Sequence, residues 1–332
     1  MLRFALIGCG AIGKRHADII AARHHLVAVC DIVPEKAAAF GLKYHAAAYD
    51  KLQMLLESET WVDVVVIATP NGCHAQQTIA ALQSGKNVLC EKPMAIKSTD
   101  AQQMVKVANE TGKKLWIVKQ NRYNPPVAQV RGWLEEGKLG KLIGFQLNGF
   151  WNRPDAYYYN SWHGSADLDG GILFTQFSHF IDILCWLVGD IEEVRGFASN
   201  IMHPNSMAFE DTGAVAIKMK NGCIGSVNFT VNSFGKNMEG SITLFGEKGT
   251  VKIGGAYLNE LSYVNIDGID FVDAQIFTPE NDYGNYKGSM SNHPRVYNHV
   301  EDVLLKNAPI FPSLADSVKT VEMIEQIYAA IR

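Results

Sequence analysis

The sequence predicts an α/β protein, in which a doubly wound parallel sheet is followed by an α+β region with a largely antiparallel sheet. Three observations carry this reading. Short apolar runs alternate with helical stretches over roughly the first 120 residues. Glycines mark the first strand–helix junction. Beyond Val188 strand follows strand, with turn signals between them.

Strands are expected at Arg3–Ile7, Leu26–Cys30, Val62–Ala68, Val88–Cys90 and Lys114–Val118. They are rich in valine, isoleucine and leucine without alternation, as befits parallel strands buried on both faces. Helices are expected from Ala11 to about Arg23 and from Ala75 to Ser84. A third runs from near Ser98 to Gly112, with Gln102 completing a capping box. Such strand–helix repetition implies right-handed crossovers. The character changes after Asn124-Pro125-Pro126, which puts a first domain at 1–123 and a second at 124–332. The second begins with a helix, Val127 to Glu136, and a strand, Lys141 to Trp151. A regular apolar helix covers Ile172–Val188. Asn221-Gly222 and Glu247-Lys248-Gly249 mark hairpins, and helices at Pro294–Lys306 and Leu314–Ile331 close the chain.

The 332 residues are 47% hydrophobic and 19% charged, which is a globular composition. A net charge of -4 without a basic block argues against nucleic acid and anionic membrane as partners. The six cysteines are scattered without a C-x-x-C pair, which points to reduced thiols in a cytoplasmic protein, and no metal site is expected. Gln176, His179 and Asp182 interrupt the greasiest segment, which suits a buried helix better than a membrane span.

Gly8-Cys9-Gly10-Ala11-Ile12-Gly13 follows the first strand and opens the first helix. Glycines there permit a tight turn and a close backbone approach to a pyrophosphate, whose charge faces the helix N-terminus. With the acidic Asp31 ending the second strand, the pattern reads as a Rossmann dinucleotide site. A carboxylate accepts hydrogen bonds from ribose hydroxyls and repels a 2′-phosphate, so NAD is expected over NADP. The other reading of Asp31 is a cap for the helix near Pro34. Thr69, Asn71 and His74 follow the third long strand at the same sheet edge and are expected to contact the cofactor. The plainer reading there is a Pro-Asn turn with His74 at a helix start.

Glu91-Lys92-Pro93 follows Asn87-Val88-Leu89-Cys90, so Lys92 stands at the carboxyl end of a parallel strand, where ligands bind. Proline stiffens the segment. Elsewhere such a lysine is a surface turn; here it is a catalytic candidate, with Glu91 beside the cofactor. Arg122, past the last parallel strand, suits the nicotinamide end or a substrate carboxylate, or is a surface arginine.

Together Gly8-x-Gly10-x-x-Gly13 with His16, Thr69-Pro70-Asn71-x-x-His74, Glu91-Lys92-Pro93, and Gly170-Gly171 ahead of His179-x-x-Asp182 resemble the Gfo/Idh/MocA oxidoreductases. The resemblance spans nearly the whole chain. It implies a Rossmann domain, a second domain with an open, mostly antiparallel sheet used for assembly as a homodimer or homotetramer, and NAD(P)-dependent chemistry at a sugar or polyol carbon. It maps the catalytic lysine to Lys92 and the catalytic histidine to His179. Many polyol dehydrogenases of the family carry aspartate four residues before that histidine, and sugar-nucleotide members an amide; this chain has Thr175. Gln120-x-Arg122-Tyr123, Tyr158-x-x-Ser161-Trp162-His163-Gly164 and Asn292-His293 resemble the sugar-nucleotide group, which oxidises the 3-hydroxyl of a UDP-N-acetylaminosugar uronate.

On a regular helix Thr175, His179 and Asp182 share an arc of about 60°. Hydride transfer from a secondary alcohol needs a base for the hydroxyl proton and stabilisation of the developing alkoxide. His179 is expected as the base, Lys92 as the stabilising group and Thr175 as a neutral positioning group. A buried histidine satisfied by Asp182 is the plainer reading. Alternatives to a nucleotide-sugar dehydrogenase are a free-sugar or inositol dehydrogenase, an NAD-dependent glycosidase and a non-catalytic nucleotide sensor.

Overall fold

The computed structural model describes residues 1–269, 280–282 and 287–332. It divides into two units, Met1–Val118 with Val296–Val321, and Lys119–Arg295 with Glu322–Arg332.

The first unit alternates strictly: β1 (Arg3–Ile7), α1 (Ala11–Arg23), β2 (His25–Cys30), α2 (Pro34–Tyr44), β3 (Ala47–Tyr49), α3 (Leu52–Ser58), β4 (Val64–Ile67), α4 (His74–Gln83), β5 (Asn87–Cys90), α5 (Ser98–Thr111) and β6 (Leu115–Ile117). All pairs are parallel, in the order β3-β2-β1-β4-β5-β6. This is the expected doubly wound sheet. All four residues of β4 are buried, which explains a run of Val and Ile without alternation. The order reverses between β1 and β4, so the loops leaving these strands diverge around the crevice in which such sheets bind ligands. β3 is a three-residue, mostly exposed edge strand, too short to leave a pattern in the sequence. The N-cap of α5 is Lys97, which makes no side-chain cap.

The second unit runs through α6 (Pro125–Glu135), β7 (Leu142–Phe150), α7 (Ile172–Thr175), α8 (Ser178–Val188), β8 (Ile191–Ser199), β9 (Thr212–Met219), β10 (Ile224–Thr230), β11 (Glu239–Gly246), β12 (Gly249–Gly254) and β13 (Glu260–Ile266). A small hairpin, β14 (Glu280–Asp282) with β15 (Lys287–Met290), and helices α9 (His293–Lys306) and α10 (Leu314–Ile331) complete the described chain. Seven strands form one sheet, β13-β12-β11-β7-β10-β9-β8, antiparallel except where β7 meets β10. The two hairpins fall where expected, and Gly222 adopts φ +86° in the first.

One sheet face carries α8, and Phe145, Leu147, Val227, Phe229 and Ile242 point into that core. Trp151 centres it, with ring centroids 5.3 Å from both Phe177 and Phe180 and 5.6 Å from Tyr257. Gly149 makes this packing possible, since a Cβ there would lie 2.6 Å from the Phe177 ring. The same packing breaks the helix around Ile172–Val188, expected to be regular through Phe174–Leu187. Phe177 takes φ −109°, ψ 5°, its amide reaches back to Ile172 O, and α8 starts afresh at Ser178. Thr175 therefore does not share a helical arc with His179 and Asp182. No helix among the described residues is long and apolar enough to cross a membrane.

Candidate active site

The glycine loop is shaped by contacts that only glycine permits. Gly8 has φ +98°, and a Cβ on it would strike Ala68 O; one on Gly13 would strike Gly8 O. A Cβ on Gly10 would meet nothing within 4 Å, so that position is open to a ligand. Gly10 caps α1 without a side-chain hydrogen bond, leaving the helix's first amides available to an anion. Asp31 closes the loop: Oδ2 accepts the Cys9 N–H at 2.8 Å and Oδ1 the Val33 N–H at 2.9 Å. Val33 itself caps α2 with no side-chain cap, so Asp31 is no conventional helix cap. A carboxylate has about four acceptor positions, so capacity for ribose hydroxyls remains. The cradle fits a dinucleotide, which Gly8, Gly10, Ala11, Ile12, Gly13 and Asp31 would hold.

Three residues expected at the cofactor turn inward. His74 is buried, with Nδ1 2.7 Å from Pro93 O and Nε2 2.9 Å from Thr69 O, so it braces two loops. Burial lowers its pKa against the pull of those carbonyls. Thr69 gives its hydroxyl proton to Gln77 Oε1 at 2.6 Å. Glu91 is buried; Oε1 lies 2.9 Å from His16 Nε2, and Oε2 accepts the Lys92 N–H at 3.1 Å. Both carboxylate oxygens thus face the protein. Asn71 is buried in a short 3-10 turn after β4. Lys92, half-buried, follows β5 at the same sheet edge, joined to Pro93 by a cis peptide bond.

In the second unit the turn Gln120–Tyr123 faces α8. Gln120 Nε2 lies 2.9 Å from His179 Nε2. Asp182, one turn later, pairs with Lys119 and Arg122 on either side of Gln120. Lys119 Nζ is 3.0 Å from its Oδ1, and Arg122 grips it bidentately, Nε to Oδ2 at 2.9 Å and Nη2 to Oδ1 at 2.8 Å. All three are buried, and the Trp186 ring lies 4.8 Å from the Arg122 guanidinium carbon. Burial alone would raise the Asp182 carboxyl, but Arg122 and Lys119 hold it far below the carboxylate range. Burial pushes the Lys119 ammonium down, against Asp182. A carboxylate that Arg122 grips is therefore the protein's own. Thr175 donates its hydroxyl proton to buried Asp169, whose Oδ2 also accepts the Gly164 N–H at 2.8 Å.

Lys119 and Asp169 are not singled out from the sequence, and Gln120 is named there only within the stretch that resembles the sugar-nucleotide group. The polar run Lys119-Gln120-Asn121 after an apolar strand was the available signal, since buried polar groups demand partners.

The fold and cradle define an NAD-binding oxidoreductase, and comparison with known proteins agrees. Residues 2–119 match the oxidoreductase family with NAD-binding Rossmann fold, and residues 127–252 match the GFO/IDH/MocA C-terminal domain. The WlbA dehydrogenase of Chromobacterium violaceum, solved in complex with NADH and UDP-GlcNAcA, is 34% identical with a TM-score of 0.90, covering 99% of this chain and 93% of that one. The WlbA dehydrogenase of Bordetella pertussis, with the same two ligands, is 33% identical with a TM-score of 0.87, covering 99% and 96%. Inositol 2-dehydrogenase 4 of Saccharopolyspora erythraea is 30% identical over 271 residues, covering 76% of this chain and 74% of the relative. The chain belongs to the Gfo/Idh/MocA oxidoreductase family. It is an NAD-dependent enzyme of the sugar-dehydrogenase type.

Proposed function

We propose that the protein oxidises a nucleotide sugar, at C3 of a UDP-N-acetylaminosugar uronate. The observation carrying this reading is the end-to-end likeness to two WlbA dehydrogenases crystallised with NADH and UDP-GlcNAcA. Bound NAD supplies the hydride acceptor. His179 takes the hydroxyl proton at Nε2, which the donating Gln120 amide marks as the acceptor nitrogen of the ring and whose orientation that amide sets. Lys92 donates a hydrogen bond to the same oxygen and stabilises its developing negative charge. Thr175 accepts a hydrogen bond from a substrate hydroxyl, its own proton being held by Asp169.

A free polyol substrate is the second reading, favoured by the likeness to an inositol 2-dehydrogenase over three-quarters of the chain. Nicotinamide absorbance with NAD and a panel of UDP-N-acetylaminosugar uronates, hexoses, inositols and aryl glycosides tests both. Reduction with inositols and not with the nucleotide sugars would replace the first reading by the second. Assembly as a homodimer or homotetramer is supported by the outer face of the second unit's sheet, where Phe197 is 88% and Ile224 62% exposed. Sedimentation velocity checks it.

A further inference from the structure

Beneath the Lys92 segment lies a chain of buried polar groups to which the chemistry above gives no role. His16, on α1, is fully buried, with Nδ1 2.7 Å from the Tyr297 hydroxyl and Nε2 2.9 Å from Glu91 Oε1. Glu91 Oε2 accepts the Lys92 N–H. A neutral imidazole has one acceptor and one donor nitrogen. These contacts use both in one direction: the Tyr297 hydroxyl donates to Nδ1, and Nε2–H donates to Glu91. Burial, reinforced by the Glu91 carboxylate, holds the Tyr297 phenol well above its ordinary range, so it stays a donor at working pH. Its ring is fixed against Phe4, 5.6 Å between centroids. With the imidazole neutral the chain runs in this one direction, and it ends on the backbone of Lys92.

We infer that His16 and Tyr297 are positioning residues for Lys92, acting through Glu91. They orient the Glu91 carboxylate, which holds the Lys92 amide and so sets the direction in which the lysine side chain leaves β5. The inference rests on the catalytic reading of Lys92. It makes Glu91 a brace for the residue beside it and not a cofactor ligand. It also gives His16, the histidine three residues beyond the glycine motif, a task separate from NAD binding.

Tyr297→Phe removes one hydroxyl and keeps the ring packing; Glu91→Gln keeps the size and removes the charge. Both variants are read in two ways. In hydrogen exchange, amides of the segment from Leu89 to Ala95 exchange about tenfold faster or more, while β1 and β4 keep their protection. In turnover of NAD with UDP-GlcNAcA, kcat falls by about 10²-fold, the dissociation constant of NAD is unchanged, and the isotope effect with substrate deuterated at C3 grows. Partial unfolding would lower kcat in proportion and leave the isotope effect where it was. Unchanged exchange at that segment overturns the inference, as does weakened NAD binding with an unchanged isotope effect. Lys92→Met separates the two readings. If that variant keeps turnover, the catalytic reading falls, and the exchange experiment still decides the brace. If it is inactive while Tyr297→Phe and Glu91→Gln match wild type, the brace alone is wrong.

Discussion

The Gln120 amide nitrogen lies 2.9 Å from Nε2 of His179, and the residues flanking Gln120, Lys119 and Arg122, hold Asp182 one turn along the same helix. One contact to His179 and two ion pairs to Asp182 thus fix one turn of backbone to one turn of α8. Rotation of the His179 ring breaks the first, and displacement of the helix breaks the ion pairs.

Replacing Gln120 by leucine keeps most of the volume and removes the donor. The lost hydrogen bond is worth about 1 kcal/mol, so kcat is expected to fall about fivefold with little change in the KM for NAD. Steady-state kinetics with the preferred sugar checks this. An unchanged kcat would show that His179 needs no support from Gln120.

Asp182→Asn leaves two buried cations without their carboxylate. Breaking such a cluster costs about 3–5 kcal/mol, to be read as a lower unfolding midpoint in urea. The acid limb carries a further signature. The folded-state carboxyl is lowered, so its stabilisation is complete above the unfolded value of about 3.9 and is lost as pH falls towards the folded value. The stability gap between wild type and variant should be constant from neutral pH to about pH 5 and narrow below about pH 4. A gap that shrinks at neutral pH would contradict an ionised Asp182.

Gly10 and Gly13, three positions apart in the same loop, respond in opposite ways to alanine. Gly10 has φ −89° and open space around its would-be Cβ, so Gly10→Ala is expected to fold with wild-type stability and bind NAD weakly. Gly13→Ala drives a methyl into Gly8 O, so it destabilises the first unit. Thermal unfolding with and without NAD checks the pair.

The thiols should be inert in the native state. Burial pushes Cys9 and Cys185 to about 12 and Cys30 to about 11, and only the thiolate reacts. A disulfide reagent at mildly alkaline pH is expected to label these three slowly before unfolding and promptly after it.

Much of this was legible in the sequence. The bounds of β1, α1 and α10 follow from hydrophobic period and glycine placement, and both hairpins from their turn residues. What was hidden depends on neighbours distant in the chain. Asp182 looked like a local partner for His179, but its cations stand about sixty positions earlier. The break at Phe177 exists because a glycine on β7 admits its ring, and no helical period records that. Glu91 and His74 stand where cofactor ligands stand in sequence, yet their side chains turn to His16 and to two carbonyls. Position along the chain located the sheet edge; it did not tell which side chains face out from it.

Nicotinamide absorbance on mixing the protein with NAD and UDP-GlcNAcA, beside Lys92→Met and His179→Ala, reads substrate and catalytic roles together. Reduction of NAD by wild type, and at least about 10²-fold less by either variant, is the expected result. Near-normal turnover by either variant would contradict the role given to that residue, and reduction with inositol alone would contradict the substrate.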